Sequence, residues 1–227
     1  MTEPGNQKEP QIQVSKEHYA AMKYDTLERF ISYHYQIFSV LKLKPQTVLE
    51  IGVGNKLVSS YLEREGVDVT TVDFDKELAP DIVADVRNMP IPDKSYDLVM
   101  ACQVLEHIPY EDFEKGLAEL CRVTKRYAIV ALPRRSSYFE IVIKFPFIRT
   151  LLKRNFIDLA INKHIDFGGF ETSGQHYFEI DRKKYPLHKV RKRIERHFTI
   201  LDEFSPVLNQ YHRFFILERR ESPQDAV

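Results

Sequence analysis

The sequence predicts an α/β protein whose mainly parallel, seven-stranded sheet ends in a C-terminal antiparallel hairpin and carries helices on both faces. Three observations lead to this fold class. Short apolar runs alternate with helix-type segments between residues 47 and 132, and the first run ends in a glycine turn, Gly52-Val53-Gly54. Two further β-type runs, 198–201 and 213–217, are separated by a turn at 206–210. Alternating strands and helices build parallel sheets, whereas strands joined by a short connection pair antiparallel.

Each element follows from a local pattern. Residues 1–14 are polar and predict a disordered tail. Residues 15–44 space their apolar side chains as a helix does, which predicts an N-terminal helical extension ending before Pro45. Residues 15–227 are expected to form a single domain, in which the less regular segment 134–180 covers the substrate side. The predicted strands are 47–51, 67–72, 81–85, 96–101, 127–132, 198–201 and 213–217, and the predicted helices are 57–65, 111–123 and 187–197.

Composition excludes several classes of protein. The 227 residues carry 33 Lys and Arg against 33 Asp and Glu, so the net charge is zero and the whole surface is not a polyanion-binding field. Two cysteines are too few for a disulfide framework, which predicts a reducing, cytoplasmic setting. The polar first residues predict no signal peptide, and no apolar run is long enough to predict a transmembrane helix.

The first predicted strand and the glycine turn after it predict a ligand site. Gly52 and Gly54 allow the backbone to approach a ligand, and the following helix start favours negative charge. Asp73 ends the second strand, where an acid accepts hydrogen bonds from both hydroxyls of a ribose. The alternative is an N-cap of the next helix, and Asp75 competes for either role. Glycine turn and acid together predict an adenosine-containing cofactor.

Two residues separate the possible cofactor classes. The dinucleotide fingerprint requires its last glycine where this chain has Leu57, whose bulk obstructs close packing of helix on strand. Glu50 precedes the first glycine and is unfavourable beside a pyrophosphate, but it suits a ligand that bears an ammonium and a sulfonium. Electrostatics therefore favour S-adenosylmethionine over NAD.

Four motifs in order support the same cofactor. They are Val48–Gly54, Val72-Asp73, Ala84-Asp85-Val86, and YDLVMACQVLEHI at residues 96–108. Through them, residues 46–133 resemble class I S-adenosylmethionine-dependent methyltransferases, in the broad group that includes the ubiquinone and menaquinone biosynthesis type. Lys56 departs from the pattern, because the third glycine of GxGxG often stands there. The resemblance implies a single Rossmann-like domain.

The resemblance also implies a role for each matched position. Gly52 and Gly54 would line the methionine and ribose end, Glu50 would face the amino group, and Asp73 would bind the ribose hydroxyls. Asp85 would accept from the adenine amino group with the Val86 backbone on the ring edge, and Cys102 and Gln103 would border the transferred methyl.

Catalysis itself leaves little signature. Methyl transfer from a sulfonium depends mainly on alignment, and a general base helps when the nucleophile carries a proton. His107 and His176 are the candidate bases, and a structural histidine is the alternative for each. The sequence has no CxxC pair, and no metal site is predicted.

The predicted acceptor is a small molecule, with two alternatives: an RNA methyltransferase, and a non-catalytic cofactor-binding protein. The aromatic and basic stretch 138–156 is either a lid that contacts a membrane surface peripherally or a hydrophobic helix that caps the core. The basic run 182–196 either follows RNA phosphates or is the solvated face of an amphipathic helix with Leu187, Val190 and Ile194 packed inward. The oligomeric state is not predicted.

Overall fold

The computed structural model describes residues 24–135, 137–163 and 176–220. Within them the strands are β1 Thr47–Ile51, β2 Asp68–Asp73, β3 Ile82–Val83, β4 Tyr96–Cys102, β5 Thr124–Pro133, β6 Ser137–Ile143, β7 Ile157–Lys163, β8 Phe198–Phe204 and β9 His212–Arg219. Seven of these strands form one sheet in the order β3-β2-β1-β4-β5-β9-β8, and β6 and β7 form a separate hairpin.

The main sheet has the predicted topology. Strand β1 pairs in parallel with β2 on one side and with β4 on the other, so the strand order reverses between β1 and β4. Strand β9 pairs antiparallel with both β5 and β8 and closes the sheet. In open α/β sheets ligands bind at the carboxyl ends of the strands beside such a reversal. The predicted fold class is confirmed.

Helices cover both faces of the sheet. The helices are α1 Leu27–Leu43, α2 Leu57–Arg64, α3 Phe113–Val123, α4 Ile148–Leu152 and α5 Leu187–Ile194. Buried side chains of α3 and α5, such as Leu117 and Val190, belong to one apolar cluster, whereas Tyr33 of α1 and Val58 of α2 belong to the cluster on the other face.

The N-terminal helix starts and stops for local reasons. Thr26 caps α1 by accepting a hydrogen bond from the Arg29 backbone N–H. Lys44 ends it in a left-handed conformation, directly before Pro45. The start of the predicted extension, the predicted disordered tail 1–14 and residues 136 and 164–175 of the predicted cover lie outside the described residues.

The stretch 138–156 does not form the hydrophobic helix that was one of its two interpretations. Strands β6 and β7 pair antiparallel along their whole length, with α4 between them, so that interpretation is wrong. The hairpin leaves Phe147 77% exposed and Leu151 70% exposed. Its base contacts the main body where Glu140 accepts hydrogen bonds from the backbone N–H of Leu208 and the side chain of Gln210. Among the described residues, no helix combines the length and apolarity needed to cross a bilayer.

Candidate active site

A cavity of about 260 Å³ opens at the carboxyl ends of β1, β2 and β4. Parallel strands bring their carboxyl ends to one edge of the sheet, so residues distant in sequence meet there. Every site residue predicted from the sequence lines this cavity: Glu50, Gly52, Gly54, Asp73, Asp85, Val86, Cys102, Gln103, His107 and His176. Of the predicted substrate cover 134–180, His176 is the described residue that reaches it.

The turn after β1 depends on left-handed backbone conformations. Gly52 has a φ of 83° and donates its N–H to the Val72 carbonyl at 2.8 Å. A Cβ added to Gly52 would lie 2.3 Å from Cγ2 of Val104, so the turn also has no room for a side chain. Lys56, at the usual third glycine, adopts the same left-handed region with a φ of 61°. Its ammonium donates to the Ala79 carbonyl. The turn therefore keeps a left-handed residue at position 56 although that residue is not glycine.

Two buried side-chain atoms beside the turn lack hydrogen-bond partners. Glu50 is 5% exposed and its Oε2 accepts no hydrogen bond, and Nε2 of Gln103 donates none. Burial raises the pKa of Glu50 to about 8, against the smaller opposing effect of Ser59. Buried polar groups in proteins are normally paired, so an unpaired acceptor and an unpaired donor in one cavity indicate a polar ligand. An α-amino acid supplies an ammonium for the first and a carboxylate for the second.

Asp73 fastens the glycine turn to the end of β2. Its Oδ2 accepts from the Val53 backbone N–H at 3.0 Å, and its Oδ1 accepts from the Asp75 N–H at 2.9 Å. Burial nevertheless raises its pKa. Asp75, and not Asp73, caps the short 3-10 turn that follows, by accepting from Glu77 N–H at 2.9 Å. The N-cap alternative for Asp73 is therefore wrong.

Asp85 is already engaged by a neighbouring guanidinium. Arg87 contacts both carboxylate oxygens of Asp85 and also donates to Asp112 at 2.8 Å. These hydrogen bonds raise the pKa of Arg87. A ligand that donates to Asp85 would share the carboxylate with Arg87. Cys102, beside Gln103, is a free thiol whose pKa burial raises well above its usual range.

A second polar cluster lines the same cavity. Nδ1 of His176 lies 3.2 Å from Oε1 of Glu179, and the Tyr211 hydroxyl donates to the same oxygen at 3.0 Å. Although burial opposes it, the hydrogen bond to Glu179 raises the pKa of His176. The His107 and His176 rings meet edge to face, with centroids 5.0 Å apart. Among the described residues, Glu106 and these two histidines form the cluster that could hold a metal ion.

The N-terminal extension 15–44 was expected to help cover the substrate, but the sequence prediction named none of the residues that form this wall of the cavity. Helix α1 contributes Arg29, Ser32, Tyr33 and Gln36, and His212 from the start of β9 faces them. His212 Nδ1 lies 2.8 Å from Ser32 Oγ, and burial lowers the pKa of this histidine to about 3, so it is neutral. The four α1 positions repeat at i, i+3, i+4 and i+7, which is a stripe that the sequence already contained.

Solved structures share this fold. Magnesium protoporphyrin IX methyltransferase from Synechocystis PCC 6803, with bound S-adenosylhomocysteine, is 15% identical with a TM-score of 0.58, over 86% of this chain and 84% of that chain. N-methyltransferase NodS from Bradyrhizobium japonicum WM9, in complex with S-adenosylhomocysteine, is 9% identical with a TM-score of 0.57, over 91% and 96%. The 1,6-didemethyltoxoflavin-N1-methyltransferase from Burkholderia thailandensis, with bound 1,6-didemethyltoxoflavin and S-adenosylhomocysteine, is 14% identical with a TM-score of 0.55, over 93% of both chains.

The fold is that of class I S-adenosylmethionine-dependent methyltransferases. Residues 49–132, from β1 to the end of β5, match a family model described as a methyltransferase domain. No curated protein matches the sequence. Residues 49–132 thus carry a methyltransferase domain, which supports a methyltransferase enzyme. The dependence of this chain on S-adenosylmethionine and its place in the ubiquinone-type subgroup stay predictions.

Proposed function

We propose that this enzyme transfers a methyl group to a hydroxyl or amine of a small molecule, bound between α1 and the pair His107 and His176. The observation that carries the proposal is that two chemically different sets of side chains line one cavity. Glu50 and Gln103 offer unpaired polar atoms, and His107, His176 and Tyr211 form a second set in which Glu179 contacts His176 and Tyr211.

The cofactor end suits S-adenosylmethionine residue by residue. Glu50 would receive the ammonium and the Gln103 amide the carboxylate, while Gly52 lets the chain pass close to the ligand. Asp73, already holding the turn, would accept from the ribose, and Asp85 from the adenine amino group beside Val86. When bound, this cofactor supplies a methyl group on a sulfonium, which an aligned nucleophile displaces.

The acceptor end would select a small polar molecule. Arg29 and Tyr33 of α1 line it, and Arg29 donates to the Tyr24 hydroxyl at 2.8 Å. His176 is oriented by Glu179, as a group that accepts an acceptor's proton needs to be. Cys102 is a free thiol, in keeping with the cytoplasmic setting that we also propose.

The structure lends less support to RNA as the acceptor. Helix α5 buries Val190 and Ile194, so part of the basic run 182–196 is the outer face of an amphipathic helix. Several of its cations are paired within the chain: Arg182 with Glu179, Arg191 with Glu203 and Arg196 with Glu114. Paired cations release fewer counterions from phosphates and contribute less to RNA affinity.

A panel of acceptors tests the proposal. The purified chain is incubated with S-adenosylmethionine and small hydroxylated or amine metabolites, or with RNA, and S-adenosylhomocysteine is measured. We expect turnover with one class of small acceptors. The turnover rate should fall at least about tenfold in His176→Ala, and it should be unchanged in the matched control His188→Ala, whose side chain is exposed on α5. Turnover confined to RNA and falling steeply with salt would contradict the proposal. A chain that binds the cofactor but methylates nothing would instead support the non-catalytic alternative.

A further inference from the structure

Glu106 is a buried charged residue that the cofactor site does not use. Its side chain has no exposed surface, and neither carboxylate oxygen accepts a hydrogen bond. An ionised carboxylate without partners is strongly unfavourable in such a place. The group is therefore stable as a neutral acid or beside a cation.

Two histidines complete a set of metal-ligating atoms around this carboxylate. Atoms of Glu106, His107 and His176 that can bind a metal lie within 4.8 Å of one another. Bonds of about 2.1 Å to one tetrahedral ion require about 3.4 Å between ligand atoms, so shifts of about 1 Å close the set. A carboxylate and two imidazoles with an open fourth position match catalytic zinc sites.

A second layer already orients one of the ligands. Nδ1 of His176 lies 3.2 Å from Oε1 of Glu179, which leaves the lone pair of Nε2 for an ion. Glu179 is itself held by Tyr211 at 3.0 Å and by Arg182 at 3.1 Å. Together these contacts hold the Glu179 carboxylate in place as an acceptor for the Nδ1–H of His176. Carboxylate–histidine pairs of this kind fix the tautomer of metal-binding histidines.

We propose that Glu106, His107 and His176 bind a divalent transition-metal ion, with zinc the best match, at the acceptor end of the cavity. The role of this ion in catalysis rests on the proposed function. A metal ion at this site binds the hydroxyl oxygen of the acceptor and lowers the pKa of that hydroxyl. The acceptor class narrows accordingly to molecules with a hydroxyl group. His176 is then a ligand and not a general base.

Cobalt titration of untagged protein tests the site directly. After EDTA treatment and dialysis, Co²⁺ is added and the visible absorption of the bound ion is followed. We expect one Co²⁺ per chain, displaced by Zn²⁺. Binding should weaken about 100-fold or more in Glu106→Gln and His176→Ala, and about 10- to 100-fold in Glu179→Gln. His188→Ala is the matched control, and melting curves confirm that each variant is folded.

The outcomes separate this inference from the proposed function. No Co²⁺ binding, or equal binding in all variants, overturns the metal site. Calorimetry with S-adenosylmethionine on the same EDTA-treated sample tests the cofactor site independently. Methyl transfer that is undiminished in EDTA yet lost in His176→Ala would overturn the ligand role and assign His176 as a general base.

A different observation supports a contact surface at the end of the β6–β7 hairpin, here the hairpin tip, residues 144–156. Phe147 and Leu151 are mostly exposed, and the tip carries Lys144, Arg149, Lys153 and Arg154 with no acidic residue. Exposed apolar side chains in a segment that carries cations and no acids suit an anionic lipid surface. We infer that this tip docks the enzyme on anionic membranes.

Vesicle sedimentation tests the docking surface. The full chain should sediment with phosphatidylcholine vesicles containing 30% phosphatidylserine, at least about tenfold more than with phosphatidylcholine alone, and salt should release it. The double variant Phe147→Ser/Leu151→Ser should lose binding, whereas Leu201→Ser, exposed on β8, should retain it. Absence of binding overturns the inference. A dimer of the chain that ultracentrifugation detects and that the double variant abolishes would also overturn the inference, because the hairpin tip would then bind a second copy of the chain.

Discussion

Replacing Glu50 with glutamine should make the protein more stable and a poorer binder of S-adenosylmethionine. The side chain is 5% exposed, and burial raises its pKa from 4.5 to about 8. Because the folded-state pKa lies above the unfolded value, the folded chain holds this proton more tightly. The free energy of unfolding therefore falls as pH rises from about 4.5 to about 8. Glutamine has the same shape and does not ionise.

The size of the effect follows from the pKa difference. Each unit is worth 1.36 kcal/mol, so the full penalty above pH 8 is about 5 kcal/mol and the penalty at pH 7 is about 3 kcal/mol. We expect Glu50→Gln to unfold at higher urea, by about 3 kcal/mol at pH 7 and little at pH 4.5. The exposed control Glu111→Gln should stay within about 0.5 kcal/mol of the parent at both pH values.

The same substitution should weaken the binding of S-adenosylmethionine. A carboxylate that receives an ammonium contributes roughly 1.5–3 kcal/mol, so affinity should fall about 10- to 100-fold. At pH 7 the free carboxyl is mainly protonated, so binding should release close to one proton. Calorimetry in two buffers of different ionisation enthalpy measures that release, which should vanish in Glu50→Gln. A variant that is no more stable at pH 7, or that binds with unchanged affinity and proton release, would refute the reasoning.

Three further substitutions test the turn and the adenine side. Gly52→Ala should lower the free energy of unfolding in urea by about 3 kcal/mol, because an alanine is strained at this positive φ and its methyl group collides with Val104. Adding Val104→Ala should restore only the part of the stability that the collision removes. Full recovery of stability in the double variant would contradict the argument from backbone strain. Asp73→Ala leaves two backbone N–H groups without acceptors, so the free energy of unfolding should fall by about 2 kcal/mol or more and cofactor binding should weaken roughly 100-fold. An unchanged melting temperature would show that the glycine turn does not need the Asp73 carboxylate. Asp85→Ala should cost about 2 kcal/mol by removing a partner of buried Arg87, with a smaller effect on the cofactor, measured by calorimetry.

Much of the fold and the cofactor end follows from local sequence patterns. The run Thr47–Ile51 is largely β-branched or apolar, as a strand buried between two parallel neighbours needs to be. The glycines predicted to form the turn after it do adopt a positive φ. The order of motifs was sufficient to place Asp73 and Asp85 beside the same turn, since parallel strands share an edge. Their binding roles remain predictions.

Other features depend on contacts that no local pattern contains. The stretch that became the hairpin has Phe139 and Ile141 exposed on strands that pair only with each other, so no alternation of buried and exposed residues marked it as β. The contact of His212 with Ser32 joins residues 180 positions apart. His176 lies about 70 positions after Glu106 and His107 in the sequence and comes close to them only in the folded chain. Sequence spacing therefore predicted no metal site.

Calorimetric titration of the purified chain with S-adenosylmethionine, S-adenosylhomocysteine and NAD tests the central claim most directly. We predict one site per chain with micromolar affinity for both sulfur ligands, no NAD binding, and marked weakening in Glu50→Gln. A folded chain that binds neither sulfur ligand, or that binds NAD in their place, would contradict the assignment of this cavity to S-adenosylmethionine.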